Sequence, residues 1–191
     1  GLALLAEGGV PRVTAFRAGS FAANADTLAA VEACGLQVDS SLNMLYAVSG
    51  GDLRKHGDFW FPFRRDGLQL LPISVFRDGF GRLRHAQVGA CSGAELCQAM
   101  EDAAARGHSG FTVLSHNFEM LRSGSSLPDR VVVSRFEALC RHLAANRDHL
   151  PTAGLNTPPE FPAQDDTTLA SVGPLAPLHR FAGQALRRLP V

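Results

Sequence analysis

The sequence predicts an α/β fold built from strand–helix–strand units, and three observations carry that reading. Short apolar runs alternate with stretches of helical periodicity, the rhythm of βα units and not of an antiparallel sandwich. One complete unit, from Val13 to Asp39, closes within thirty residues. The 191 residues are 46% hydrophobic and only 19% charged, too apolar for a disordered chain. That length suits one domain able to bury about 70% of the surface its unfolded form exposes.

The first strand spans Val13 to Ala18. After a Gly/Ser/Asn loop, a helix runs from about Asp26 to Cys34, with Asn24 or Asp26 as its cap. Gly35 ends that helix where a left-handed residue is usual, and Leu36 to Asp39 resumes as a strand leading into Ser40 and Ser41. Residues 47–67 read as a long loop with an apolar plug at Phe59, Trp60, Phe61 and Phe63, in preference to a stacking platform for bases or sugars. Leu70 to Phe76 is the next strand, and Arg77-Asp78-Gly79-Phe80-Gly81 the turn after it.

Ser92 caps a helix to Arg106, and Glu95 three residues on completes a capping box. Phe111 to His116 reads as a strand, and Val133 to Asn146 as a helix with Phe136, Leu139, Cys140 and Leu143 on one stripe. From Pro151 the composition turns to Pro, Thr, Gly and Ala. The chain therefore divides into residues 1–150 and a tail, 151–191, irregular until a short helix near His179 to Leu189. These are three or four βα steps, fewer than the seven or eight strands, roughly, of a closed barrel.

Lys plus Arg and Asp plus Glu each number 18, so the formal net charge is zero and there is no basic footprint for nucleic acid. The longest apolar candidate, Leu68 to Phe76, is interrupted by Gln69 and Pro72 and falls short of the roughly 18 residues of a transmembrane segment. Cys34, Cys91, Cys97 and Cys140 have no CxxC spacing. They read as free thiols in a reducing compartment, with two disulfides as the alternative. With few cysteines and no signal-peptide layout near Gly1, the cytoplasm is the favoured location.

Three catalytic schemes can be set against these residues. Gly107-His108-Ser109-Gly110 does not make a hydrolase elbow, because Phe111 stands where glycine is needed and the helix precedes the strand. The seven histidines form no HxH or HxxxH pair, and His142 and His149 read as a solvated helix face instead of metal ligands. The third scheme uses strand ends, where the loops of barrel-like folds converge. Arg17, Asp39 and His116 each follow a strand, and together they would make an acid/base and charge-orienting set.

The stretches Thr14-Ala15-Phe16-Arg17-Ala18-Gly19-Ser20-Phe21, Ala23 to Leu28, Val38-Asp39-Ser40-Ser41, Leu83 to Gln87 and Phe111 to Leu121 follow one another in an order that resembles polysaccharide deacetylases of the NodB-homology type. Arg135 to Cys140 extends the resemblance to about residue 150. It implies an incomplete (β/α) barrel and a hydrolase acting on the carbon–nitrogen bond of N-acetylated sugars. In that family one Asp and two His hold a divalent metal, usually zinc, and a second Asp activates the metal-bound water.

Carried over by motif, His116 matches the general acid, Leu114 lines the small acyl pocket, and Arg17 matches the arginine that orients the catalytic Asp. Asp39 joins this set, and the backbone amide of Ser20 or Phe21 is the oxyanion donor. The family's acidic pair and paired-histidine segment precede its arginine motif, whereas this sequence begins sixteen residues before Arg17 and contains neither. The expectation is therefore a C-terminal portion lacking the first βα units, inactive alone and holding no metal by itself. An open edge strand at Val13 to Phe16 would favour self-association. The alternative is a degenerate, non-catalytic carbohydrate-binding or structural module.

Overall fold

A computed structural model of the chain describes residues 1–46, 53, 59–156, 160–162 and 167–188. The fold is mixed α/β with two small sheets, and the chain forms two compact units. Unit one is Gly1–Pro72 with Ala153–Asp165, and unit two is Ile73–Thr152 with Asp166–Val191. No helix among the described residues is long and apolar enough to cross a membrane.

In unit one a short exposed helix, α1 (Leu2–Glu7), precedes β1 (Ala15–Phe16), α2 (Ala25–Ala33) and β2 (Val38–Asp39). Asn24 is the cap of α2: its side chain accepts from Thr27 N while the Thr27 hydroxyl accepts from Asn24 N. Gly35, at φ 73°, turns the chain out of the helix, and Leu36 N bonds back to Val31 O at 3.2 Å. A hairpin of β3 (Phe63–Arg65) and β4 (Leu68–Leu70) completes a sheet ordered β1-β2-β4-β3, in which β1, β2 and β4 run parallel. Strand β1 is its edge, shorter than the expected run from Val13. Val31, Leu36, Leu68 and Leu70 form the core beneath α2. Phe59 and Phe63 stack at 4.9 Å over Ala18, Ala23 and Leu42, but Phe63 belongs to β3, so the long loop expected over residues 47–67 contains a strand paired to β4; residues 47–52 and 54–58 lie outside the described residues.

Unit two starts with the hairpin of β5 (Val75–Arg77) and β6 (Leu83–His85). The expected strand from Leu70 to Phe76 is thus two strands, because Pro72 between them has no N–H for a ladder. Asp78 shapes the hairpin turn by accepting from Phe80 N and Arg82 N, each at 3.0 Å. Gly79 is needed there: a Cβ would sit 2.5 Å from Gly173 O. Helix α3 (Gly93–Ala105) begins with the expected Ser92–Glu95 capping box. Helix α4 (Arg130–Ala145) is capped by Asp129, which accepts from Val131 N and Val132 N.

Two further expectations need correction. Residues 111–116 form no regular strand; they run extended beside β5 and the 86–88 segment, with a single parallel bridge between Leu114 and Gln87. The inward face of α4 is Val132, Arg135 and Leu139, while Phe136 and Cys140 are exposed. Three successive valines make the apolar stripe ambiguous, and Arg135 turns inward to reach the carbonyls of Val88 and Gly89.

The segment expected to be an irregular tail is built into both units. Phe161 is buried against Val38 and Leu71 in unit one. In unit two, β7 (Ala170–Ser171) pairs parallel with β5, and α5 (Ala176–Arg188) follows it. Ala170, Val172 and Ala176 pack with Phe76, Leu96 and Val132 in the largest apolar cluster of that unit.

Candidate functional site

The carried-over residues divide between the units. Arg17, Ser20, Phe21 and Asp39 belong to unit one; Leu114 and His116 belong to unit two.

Asp39 ends β2 and is 1% exposed. Its carboxylate accepts from Ser41 N and Ser41 Oγ, both at 2.8 Å. Burial pushes its carboxyl above the ordinary range, against the pull of those two bonds and of the Arg17 charge. Arg17, just past β1, does not bond Asp39 directly. Its Nε donates to Ser40 O at 3.1 Å and its Nη2 to Ser40 Oγ at 2.9 Å, and burial lowers its pKa. The parallel register that places Phe16 opposite Asp39 brings these strand-end groups together.

Directly after Arg17 and Ala18 the chain makes a tight turn in which Ser20 (φ 52°) and Phe21 (φ 57°) are both left-handed. Side chains other than glycine hold that conformation at a cost of about 1–3 kcal/mol each, and such strain gathers at functional sites. The Phe21 N–H already donates to Ala18 O at 3.2 Å.

In unit two, Leu114 is 2% exposed, locked by its N–H to Ala86 O and by Val88 N to its own carbonyl. It is therefore a core residue. His116, two residues on, has a ring 42% exposed. Its Nδ1–H donates to Glu119 Oε1 at 2.8 Å, and the ring stacks on Phe118 at 4.8 Å. The same Glu119 oxygen accepts from Gln87 Nε2, and Gln87 Oε1 accepts from His85 Nε2 at 2.8 Å. The tautomer of His116 is thus fixed by its acceptor, leaving Nε2 without a hydrogen-bond partner among the described residues.

Gly89 makes room for this arrangement: a Cβ there would lie 2.6 Å from Glu119 Oε2. Arg135 anchors the same segment, donating to Gly89 O at 3.1 Å. Gln87, Gly89, Phe118 and Glu119 line an open groove of about 960 Å³, large enough for a short oligosaccharide.

Sequence reasoning singled out His116 but not its neighbours Glu119 and Gln87 or the groove. Glu119 stands three residues after His116, a spacing that a helical turn turns into a contact, and that was the available signal. The pairing of Gln87 with Glu119 spans 32 positions and has no local signature. His142 and His149, read as a solvated face, close on one carboxylate of α3: their Nε2 atoms lie 2.8 and 2.9 Å from the two oxygens of Glu101.

The family's zinc centre takes one Asp and two His. Among the described residues no three His, Cys, Asp or Glu side chains come together so as to hold a metal ion, so these residues do not fit that centre. No family model, curated protein or solved structure matches this chain.

Proposed function

We propose that the chain belongs to a polysaccharide deacetylase-like hydrolase, an incomplete (β/α) barrel in its whole form, acting on N-acetylated sugars. The observation that supports it most is the His116–Glu119 pair beside the groove. Amide hydrolysis breaks the carbon–nitrogen bond and needs a proton delivered to the departing nitrogen. His116, held by Glu119 through Nδ1, would act in its imidazolium form, giving its Nε2 proton to the departing nitrogen and returning to the neutral Nδ1–H ring, and the half-exposed ring is accessible to a saccharide.

For unit one taken by itself, the resemblance assigns charge-orienting roles to Arg17 and Asp39. Of the two oxyanion amides, Ser20 is favoured, since that of Phe21 is engaged. The family's metal ligands and base have no counterpart by motif in this sequence.

The test is deacetylation of an N-acetylglucosamine oligomer by a chain carrying these residues together with the upstream acidic and paired-histidine motifs. His116→Ala should lower turnover about 100-fold or more, with metal content unchanged. Activity within a few-fold of the parent overturns the role of His116. Saccharide binding without any turnover in the parent chain replaces the hydrolase by the non-catalytic carbohydrate-binding module.

A further inference from the structure

The groove beside Glu119 has a second character. Arg122 lines it, half-buried, and its guanidinium carries no ion pair or hydrogen bond among the described residues. Arg187 of α5 lines it too and gives only Nε to Asp129 Oδ2, at 2.6 Å. Ser123, Ser125 and Ser126 add hydroxyls.

The loop that presents them is already shaped. Arg122 N donates to Leu127 O at 2.9 Å, Ser125 N to Arg122 O at 3.0 Å, and Gly124 takes the left-handed turn at φ 71°. Behind Gly89, a groove residue, Arg135 is nine-tenths buried. Its Nη1 bonds only backbone carbonyls and its Nη2 has no partner. Arg122 and Arg187 thus bring two guanidinium groups to the groove, whose lining carboxylate among the described residues, Glu119, is already engaged by His116 and Gln87. Arg122 is half-buried with no carboxylate partner among the described residues, so its guanidinium is available to an anion that enters the groove.

We infer that this groove selects acidic saccharides, seating a sugar carboxylate, or a sulfate or phosphate ester of a sugar, against Arg122 and Arg187. The inference rests on the saccharide reading of the groove and narrows its substrate class. A neutral sugar offers Arg122 only hydroxyl and amide oxygens in exchange for water, whereas an oxyanion meets a planar fork of donors in bidentate geometry.

Binding to the 191-residue chain is measured calorimetrically at low salt, using an oligosaccharide that alternates uronic acid with N-acetylglucosamine and a neutral N-acetylglucosamine oligomer of equal length. The acidic saccharide should bind at least about tenfold more tightly, the effect of one charged hydrogen-bonding group. Arg122→Gln should abolish that difference, and Arg122→Lys should restore part of it.

Sulfated and phosphorylated N-acetylglucosamine oligomers form further arms and rank the acidic groups. Equal binding of acidic and neutral oligomers, a preference that survives Arg122→Gln, or no saccharide binding at all overturns the inference. Inorganic phosphate or free glucuronate binding as tightly as the acidic oligosaccharide makes this a general anion site and overturns it as well. Acidic selectivity without deacetylation by the longer chain defeats the hydrolase reading alone; deacetylation without selectivity defeats this inference alone.

Discussion

Nδ1 of His116 lies 2.8 Å from Oε1 of Glu119, and the same oxygen accepts from the amide of Gln87. A ring pinned this way has one free nitrogen and a defined rotamer, which is what a proton donor needs from its neighbours. Glu119 is a positioning residue in this reading.

Glu119→Ala should lower kcat of the longer chain at least about tenfold with KM nearly unchanged, because the ring loses its orientation while the groove remains. Glu119→Gln, which can still accept from Nδ1, should recover part of the loss. Gly89→Ala should mimic the defect, since its new Cβ would meet Glu119 Oε2 at 2.6 Å and displace the carboxylate. A rise in KM alone, or no rescue by glutamine, would assign Glu119 to the architecture of the groove.

Arg180 makes the case for the last forty residues. It is 1% exposed, and its two terminal nitrogens lie 3.1 Å from Asp78 Oδ2 and 2.9 Å from Glu95 Oε1, so one side chain of α5 neutralises the β5–β6 turn and the start of α3. Burial alone would raise the pKa of Asp78, but donors from Phe80, Arg180, Arg82 and Arg84 outweigh it and hold the carboxyl below its usual range. Arg180→Met would leave two buried carboxylates without their shared cation, so it should destabilise the chain by about 3–5 kcal/mol in urea unfolding. A change within about 0.5 kcal/mol would show the pair to be dispensable.

What could be read from the sequence follows from what is local. The capping box at Ser92 and Glu95, the left-handed Gly35 and the turn at Asp78 each depend on residues a few positions apart, and the structure has them where the pattern put them. Arg180 had no such signature: its partners are 102 and 85 positions away, and a Pro/Thr-rich approach concealed a strand that joins β5. The strand through Leu70 to Phe76 looked continuous because hydrophobicity carries no mark of a missing N–H except Pro72 itself. The site was half legible in the same sense. His116 stands out by residue type, whereas Gln87, Gly89 and Arg135 reach it only through tertiary packing.

The four free cysteines should separate by chemistry. Cys34 and Cys140 are exposed, Cys97 is half-buried, and Cys91 is fully buried with its thiol pushed up to about 11 by burial. At pH 8 about one Cys91 in a thousand would be thiolate even if a reagent could reach it. Labelling with a thiol-specific reagent under native conditions should therefore consume Cys34 and Cys140 first. Cys91 should react only as the unit opens, at a rate that rises with urea. Rapid native labelling of Cys91, located by peptide mapping, would show that the cluster of Phe76, Val88 and Leu96 is open in solution.

Asp39 sets a pH dependence of the opposite sign to that of a salt-bridged carboxylate. Burial raises its pKa in the folded chain above the ordinary value of 3.8, while the unfolded chain keeps that value. Between the two values the folded state binds more protons, so stability falls as pH rises. The contribution is fully present below about pH 3.8 and is lost as pH climbs through the raised value. Asp39→Asn removes the titration and retains an oxygen that can accept from Ser41 N. The unfolding free energy of the parent minus that of Asp39→Asn should therefore decrease from pH 3.5 to pH 7, leaving the variant relatively more stable at neutral pH. Urea midpoints across that range measure it. A difference that stays flat or grows with pH would mean that Ser41 and Arg17 outweigh burial and hold Asp39 ionised at little cost.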